Sequence, residues 1–244
     1  QLQPALQQLG IPALGWSGAF DDRADGRILY PPPCVDQLEC AAVRLLAALL
    51  CLWALPASAT QEAWPALYDV SGVAADDVLN IRQAPDASAQ IVGSLKPDAE
   101  NIEVIRPDDH HGWGLVNSGE GRGGVSLRYL TRQSGQWAGA MPPVARCGGT
   151  EPFWSFDVTG ETLSYDALAD SPRDFRITQS GAAQGRRDSF HFIGEGPQGA
   201  AIATLSTRAC SDGMSDRAYG LAVDLLLQGN DGWQHQTGCC SLSR

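Results

Sequence analysis

Lysine is almost absent from this chain: Lys96 is the single example in 244 residues, and every other basic side chain is arginine. That scarcity reads as GC-rich coding bias, and no basic run stands out as a phosphate-binding tract. With a formal net charge of −11, the expectation excludes nucleic acid and anionic membranes as partners. Catalytic signatures are scarce too. The chain has no G-x-S-x-G elbow, no zinc triad, and no Cys/His pair free of disulfide duty. Nor is any apolar run long enough to cross a bilayer as a helix, the longest being Leu45 to Leu55.

That short run fits a secretory signal peptide over residues 43–59. Arg44 supplies the positive start, Leu45 to Leu55 the apolar centre, and Ala57-Ser58-Ala59 the cleavage triplet. A lipoprotein leader fits less well, because Cys51 lies inside the apolar run behind Leu49-Leu50. Residues 1–42 open on Gln1, contain no methionine, and are rich in Pro, Gly and acidic residues. They are expected to be translated upstream sequence or a disordered extension, with the start read here as Val43. The mature protein would then begin near Thr60, be periplasmic or secreted, and meet a membrane only through its transient leader. It keeps four cysteines, Cys147, Cys210, Cys239 and Cys240, an even number that suits an oxidising compartment. Four cysteines allow three pairings. The vicinal Cys239–Cys240 bridge is set aside because it closes a strained eight-membered ring.

The mature chain reads as all-β, in two parts. Over 64–132, short segments at 78–83, 91–95, 101–106, 113–116 and 125–130 are each bounded by Pro, Gly, Asp or Asn. Five short strands in so few residues predict a small barrel. Residues 133–146, rich in Gly, Ala and Pro, predict a linker whose Trp137 packs on one of its neighbours. From 147 to 244 alternation resumes. Trp154, Phe156 and Val158 share one face of a hairpin that turns at Gly160, and Tyr219, Leu221, Val223, Leu225 and Leu227 follow at strict period two. About seven antiparallel strands predict a closed barrel or tight sandwich.

Both parts resemble known families. "LNIRQAPDASAQIVGSLKPDAENIEVI", "GWGLV" and "GGVSLRYL" resemble bacterial SH3-like (SH3b) domains, matching at Asn80, Arg82, Pro85, Gly93, Leu95, Trp113, Val125, Tyr129 and Leu130. One position departs: the second tryptophan of that family is Gly124 here, one aromatic fewer for a ligand groove. The second part carries "GTEPFW" at 149–154, "CSDGMSDRAY" at 210–219 and "GCC" at 238–240. It resembles an uncharacterised family of Gram-negative envelope proteins related to small META/HslJ-like β-barrels. That resemblance implies an envelope location and no established reaction. It also implies a Cys210–Cys239 pairing, which leaves Cys147 with Cys240.

Several stretches carry reactive residue types, and each has a plainer reading. In "CSDGMSDRAYG" the carboxylates of Asp212 and Asp216 and the hydroxyls of Ser211 and Ser215 could serve acid/base or nucleophilic chemistry. None of His110, His111, His191 and His235 pairs recognisably with those serines. The stretch is therefore expected to be a disulfide-anchored turn, begun by Asp212-Gly213 and tied by the Asp216-Arg217 pair. "DDHHGW" (108–113) reads as a solvated loop and not a metal site, since adjacent histidines in extended backbone face opposite ways. "GEGRGG" (119–124) lies between strands, not in a βαβ unit, and reads as a hairpin loop. The aromatics of "EPFW" (151–154) are expected in the core, and His191 on the surface.

These readings lead to a non-enzymatic envelope protein without a cofactor, whose SH3-like part binds cell-wall peptide or another envelope protein through Trp113 and Tyr129. One alternative is an inhibitor of a lysozyme-like enzyme acting through loop 211–218, with Asp212 and Asp216 as contacts. The other is a peptidoglycan hydrolase or its accessory.

Overall fold

A computed structural model describes residues 61–168, 170–229 and 232–242. The leader and the upstream segment, with Cys34, Cys40 and Cys51, lie outside these residues. All regular structure described is β, apart from one 3-10 turn, Leu127–Tyr129. No helix among the described residues is long and apolar enough to cross a membrane.

Eight antiparallel strands close into a barrel. They are β9 (Arg146–Thr150), β10 (Phe153–Thr159), β11 (Thr162–Ala167), β12 (Asp170–Ala182), β13 (Ser189–Gly196), β14 (Gly199–Cys210), β15 (Tyr219–Gly229) and β16 (Gly232–Ser241). Each strand from β10 to β16 pairs with the next, and β9 closes the circle between β16 and β10. The predicted hairpin turns at Gly160, where φ is +59° and Thr159 faces Thr162. Alternation fills the interior with side chains. Leu221, Val223, Leu225 and Leu227 of β15 meet Ala201, Ala203 and Leu205 of β14 and Trp154 and Phe156 of β10, all buried. Each large apolar side chain buried there contributes about 1.5–3 kcal/mol.

Both predicted disulfides are present. Cys147–Cys240 links β9 to β16, with 4.0 Å between Cα atoms, and Cys210–Cys239 links the end of β14 to β16 at 5.7 Å. A Cβ on Gly149 would collide with the Trp154 indole ring, and one on Gly238 would collide with the Gly148 carbonyl and crowd the edge of the same ring. The "GGT" and "GCC" glycines therefore let the rim of the barrel close over that ring.

Residues 66–132 form two smaller sheets. One has the order β4–β1–β8, from β1 (Ala66–Val70), β4 (Ile102–Val104) and β8 (Leu130–Arg132). The other has the order β3–β2–β7–β6–β5, from β2 (Leu79–Arg82), β3 (Ile91–Leu95), β5 (Arg106–Pro107), β6 (Trp113–Ser118) and β7 (Gly121–Ser126). Their shared core holds Ala66, Tyr68, Leu79, Ile81, Val104, Val116 and Val125. Each of the five predicted segments contains a strand; the observed structure adds β1, splits 101–106 between β4 and the start of β5, and divides 125–130 among the end of β7, the 3-10 turn and the start of β8. "GEGRGG" is more regular than a loop, since only Gly119-Glu120 turns and Gly121 onward belongs to β7.

β1 is a shared wall. Ala66, Tyr68 and Val70 belong to the smaller core, whereas Leu67 belongs to the barrel core. The segment after β8 is fastened, not loose. Gln136 uses its amide to accept from the Leu67 N–H (2.7 Å) and donate to the Leu67 carbonyl (2.9 Å), as a neighbouring strand would. Arg132 donates to Tyr68 Oη (2.9 Å) and stacks over the Trp64 and Tyr68 rings, at 5.0 and 5.5 Å. Trp137 remains half exposed, but its backbone bridges to Glu62 and Val144 enters the barrel core.

Candidate functional site

Trp113 and Tyr129 line one groove of about 620 Å³, together with Val78, Arg82, Asp77 and Arg128. Local structure sets each wall. Trp113 opens β6 opposite Ser126 of β7, directly after the turn at 108–112. Asp108 holds that turn by accepting the N–H groups of Gly112 (2.7 Å) and Trp113 (2.8 Å). The Trp113 N–H bond, followed by that of Gly112, keeps the Asp108 carboxyl below the usual carboxylate range. Tyr129 closes the 3-10 turn, with the Arg128 guanidinium 5.8 Å from its ring centre. The facing wall is the 72–80 segment, where Val78 is 43 % exposed. The groove thus offers two aromatic rings, the aliphatic side chains of Val73, Val78 and Leu79, two guanidiniums and one carboxylate.

Trp113 also borders a smaller depression of about 160 Å³ beside Pro85, Pro107 and Gly124. A Cβ on Gly124 would meet its nearest neighbours at 3.5 Å, an ordinary contact. Position 124 thus has room for a Cβ and carries none, beside the depression that Trp113 borders.

At the rim of the barrel the three C-terminal motifs converge. Gly149, Thr150, Trp154, Asp212, Tyr219 and Cys239 all line one recess of about 290 Å³. Asp212 organises it. One carboxylate oxygen accepts the N–H groups of Met214 (3.0 Å) and Ser215 (2.9 Å), and the other accepts the Ser215 hydroxyl (2.6 Å) and the Tyr219 hydroxyl (3.3 Å). Partial burial pushes its pKa up, but these bonds outweigh that and hold it at about 2. Thr150 donates to the Asp212 carbonyl at 2.8 Å, so "GTEPFW" and "CSDGMSDRAY" are joined directly.

The 211–218 connection is a structured turn, as its sequence predicts, but its tie differs. No ion pair joins Asp216 to Arg217 among the described residues. Arg217 instead stacks 5.9 Å from the Tyr219 ring centre, and the Asp216 N–H bonds to the Glu120 carbonyl at 3.0 Å. Ser215 and Ser211 spend their hydroxyls within the turn, the first donating to Asp212 and the second accepting the Gly213 N–H (3.2 Å). Asp216 itself is exposed.

No family model, curated protein or solved structure matches this chain. The structure brings Trp113 and Tyr129 together, places Asp212 inside a turn, and sets Asp216 apart from the groove lining. Trp154 and Phe156 are core residues, while Phe153 is half exposed. His110 and His111 are exposed in their turn, and His191 is partly buried, not superficial. Sequence reading missed Val78, Arg82 and Arg128 as groove residues. The fold supplies the reason: they come from a loop, a strand and a 3-10 turn that meet only in three dimensions.

Proposed function

We propose that this protein is a non-enzymatic, exported envelope protein whose smaller β-body binds short peptides, such as those of the cell wall, in the Trp113–Tyr129 groove. The carrying observation is that both aromatic rings line one open groove with Arg82 and Arg128. Aromatic faces grip a peptide's apolar side chains and extended backbone, and guanidiniums pair with its carboxylates. The resemblance to SH3-like domains supports the same reading, with Gly124 giving a groove one aromatic poorer. Two disulfides within the barrel favour an oxidising compartment, and so a periplasmic or secreted protein.

The lysozyme-inhibitor alternative would have loop 211–218 present its carboxylates to a partner. Asp212 commits both oxygens inside the loop, which favours the groove. Co-sedimentation with purified peptidoglycan tests the proposal. The wild-type protein is expected to pellet with the wall polymer, and Trp113→Ala to stay in the supernatant. Equal, negligible sedimentation of both would rule out wall-peptide binding.

A further inference from the structure

Although no basic run appears in the sequence, four arginines meet in one cleft. Arg106 of β5 and Arg122 of β7 stand on the smaller β-body. Arg208, near the end of β14, and Arg217, in the 211–218 connection, stand on the barrel. The cleft holds about 590 Å³, and Asp216 is the only carboxylate residue in its lining. No carboxylate among the described residues ion-pairs with any of the four. Arg106, Arg122 and Arg208 are exposed. The Arg217 Nε atom is buried and has no hydrogen-bond partner.

The walls are fixed without a ligand. Asn117 donates its side-chain amide to the Ala218 carbonyl (2.9 Å) and accepts the Ala218 N–H (2.9 Å). The Asp216 N–H bonds to Glu120 O at 3.0 Å. These three bonds clamp the loop bearing Arg217 onto the hairpin bearing Arg122. On the barrel the β14–β15 register shifts between Thr207 and Cys210, so Arg208 sits at an irregularity of the strand pair.

We infer that this cleft is a binding site for a small polyvalent oxyanion, a compact ligand carrying several phosphate or carboxylate groups. Guanidiniums bind such groups in planar, two-pronged pairs, and several converging from two walls surround more than one anionic group. The cleft volume falls in the range of small-molecule sites. The net charge of −11 repels extended polyanions, so a compact ligand that enters the cleft is favoured over a nucleic acid.

Calorimetric titration of the full chain with inorganic pyrophosphate and with citrate tests this assignment. Submillimolar binding of at least one is expected, weakening as salt is raised. Tighter pyrophosphate binding would assign a phosphorylated ligand, and tighter citrate binding a carboxylated one. Arg122→Ala and Arg208→Ala should each weaken binding about tenfold or more. Arg122→Lys should fall between wild type and Arg122→Ala, because it keeps the charge and loses the fork. Arg176→Ala, on the exposed face of β12 and paired with Glu161, should bind as wild type does. Thermal melts confirm that each variant is folded. The inference is overturned if neither anion binds at millimolar concentration, or if Arg122→Ala and Arg208→Ala bind like Arg176→Ala. The readout does not involve the Trp113 groove, so loss of wall binding and loss of anion binding are separate results.

Discussion

Replacing Asp212 tests whether the 211–218 turn is built around one carboxylate. In the folded protein the group accepts four hydrogen bonds, and its pKa falls from 3.8 to about 2. At about 1.4 kcal/mol per pH unit, that drop corresponds to at most about 2.4 kcal/mol of stability. Solvent around this partly exposed group screens the charge, so about 1–2 kcal/mol is expected. The sign follows from the depressed folded pKa. The contribution is complete above the unfolded value near 3.8 and is lost as pH falls through about 2. Asp212→Asn keeps the shape but not the charge, and should lower unfolding free energy by about 1–2 kcal/mol at neutral pH. Asp212→Ala also strands the N–H groups of Met214 and Ser215, and should cost about 2–4 kcal/mol. Urea unfolding of all three proteins at pH 7, 4 and 2 gives the comparison. The wild-type advantage over Asn should hold at pH 7, shrink below pH 4 and be nearly gone at pH 2. A neutral-pH difference under about 0.3 kcal/mol, or one that persists unchanged at pH 2, would refute the carboxylate's role.

Non-reducing peptide mapping should recover Cys147–Cys240 and Cys210–Cys239. Their sequence separations of 93 and 29 give chain-entropy contributions of about 4.6 and 3.6 kcal/mol. The paired substitution Cys147→Ser/Cys240→Ser should therefore lower the thermal midpoint more than Cys210→Ser/Cys239→Ser, and the reverse order would count against the entropic account. Two adjacent glycines make a sharper contrast. A Cβ on Gly123 would lie 2.6 Å from the Arg82 carbonyl and 2.9 Å from Val92, whereas one on Gly124 meets nothing closer than 3.5 Å. Gly123→Ala should cost about 1–3 kcal/mol in urea unfolding and Gly124→Ala under about 1, and equal costs would mean that strand β7 approaches β2 less closely than described. Leu67→Ala should remove about 2–4 kcal/mol by opening the barrel core from its neighbour's strand, and unchanged barrel stability by denaturant titration would deny the shared wall.

Strand β15 was legible because Leu221, Val223, Leu225 and Leu227 are buried at period two, and from Asp224 onward the residues between them are half-buried or exposed. Strand β1 was not. "ALYDV" is buried on both faces, with Leu67 in one core and Ala66 and Tyr68 in the other, and two-sided burial erases the period of two. β12 escaped for the opposite reason. Of its 13 residues only Phe175 is buried, so its alternation has almost no apolar signal. That strand raises the expected seven or so to a closed set of eight. Trp113 and Tyr129 were singled out through the resemblance, and the Asp212-Gly213 turn through local chemistry. The turn meets the β6–β7 hairpin through the Asn117 side chain on Ala218 and the Asp216 N–H on the Glu120 carbonyl, contacts between residues far apart in the chain that local sequence does not announce. The arginine cleft was hidden in the same way, because residues 106, 122, 208 and 217 are neighbours only after the two β-bodies meet.

The central claim is that the Trp113–Tyr129 groove takes a peptide. Nitrogen-15 correlation spectra of the labelled protein, recorded while a soluble wall peptide is titrated in, test it most directly. The account predicts a saturable shift of the Trp113 indole N–H signal, together with the backbone amides of Val78, Asn80 and Tyr129. Spectra that stay unchanged to saturating peptide, or shifts confined to the barrel, would contradict it.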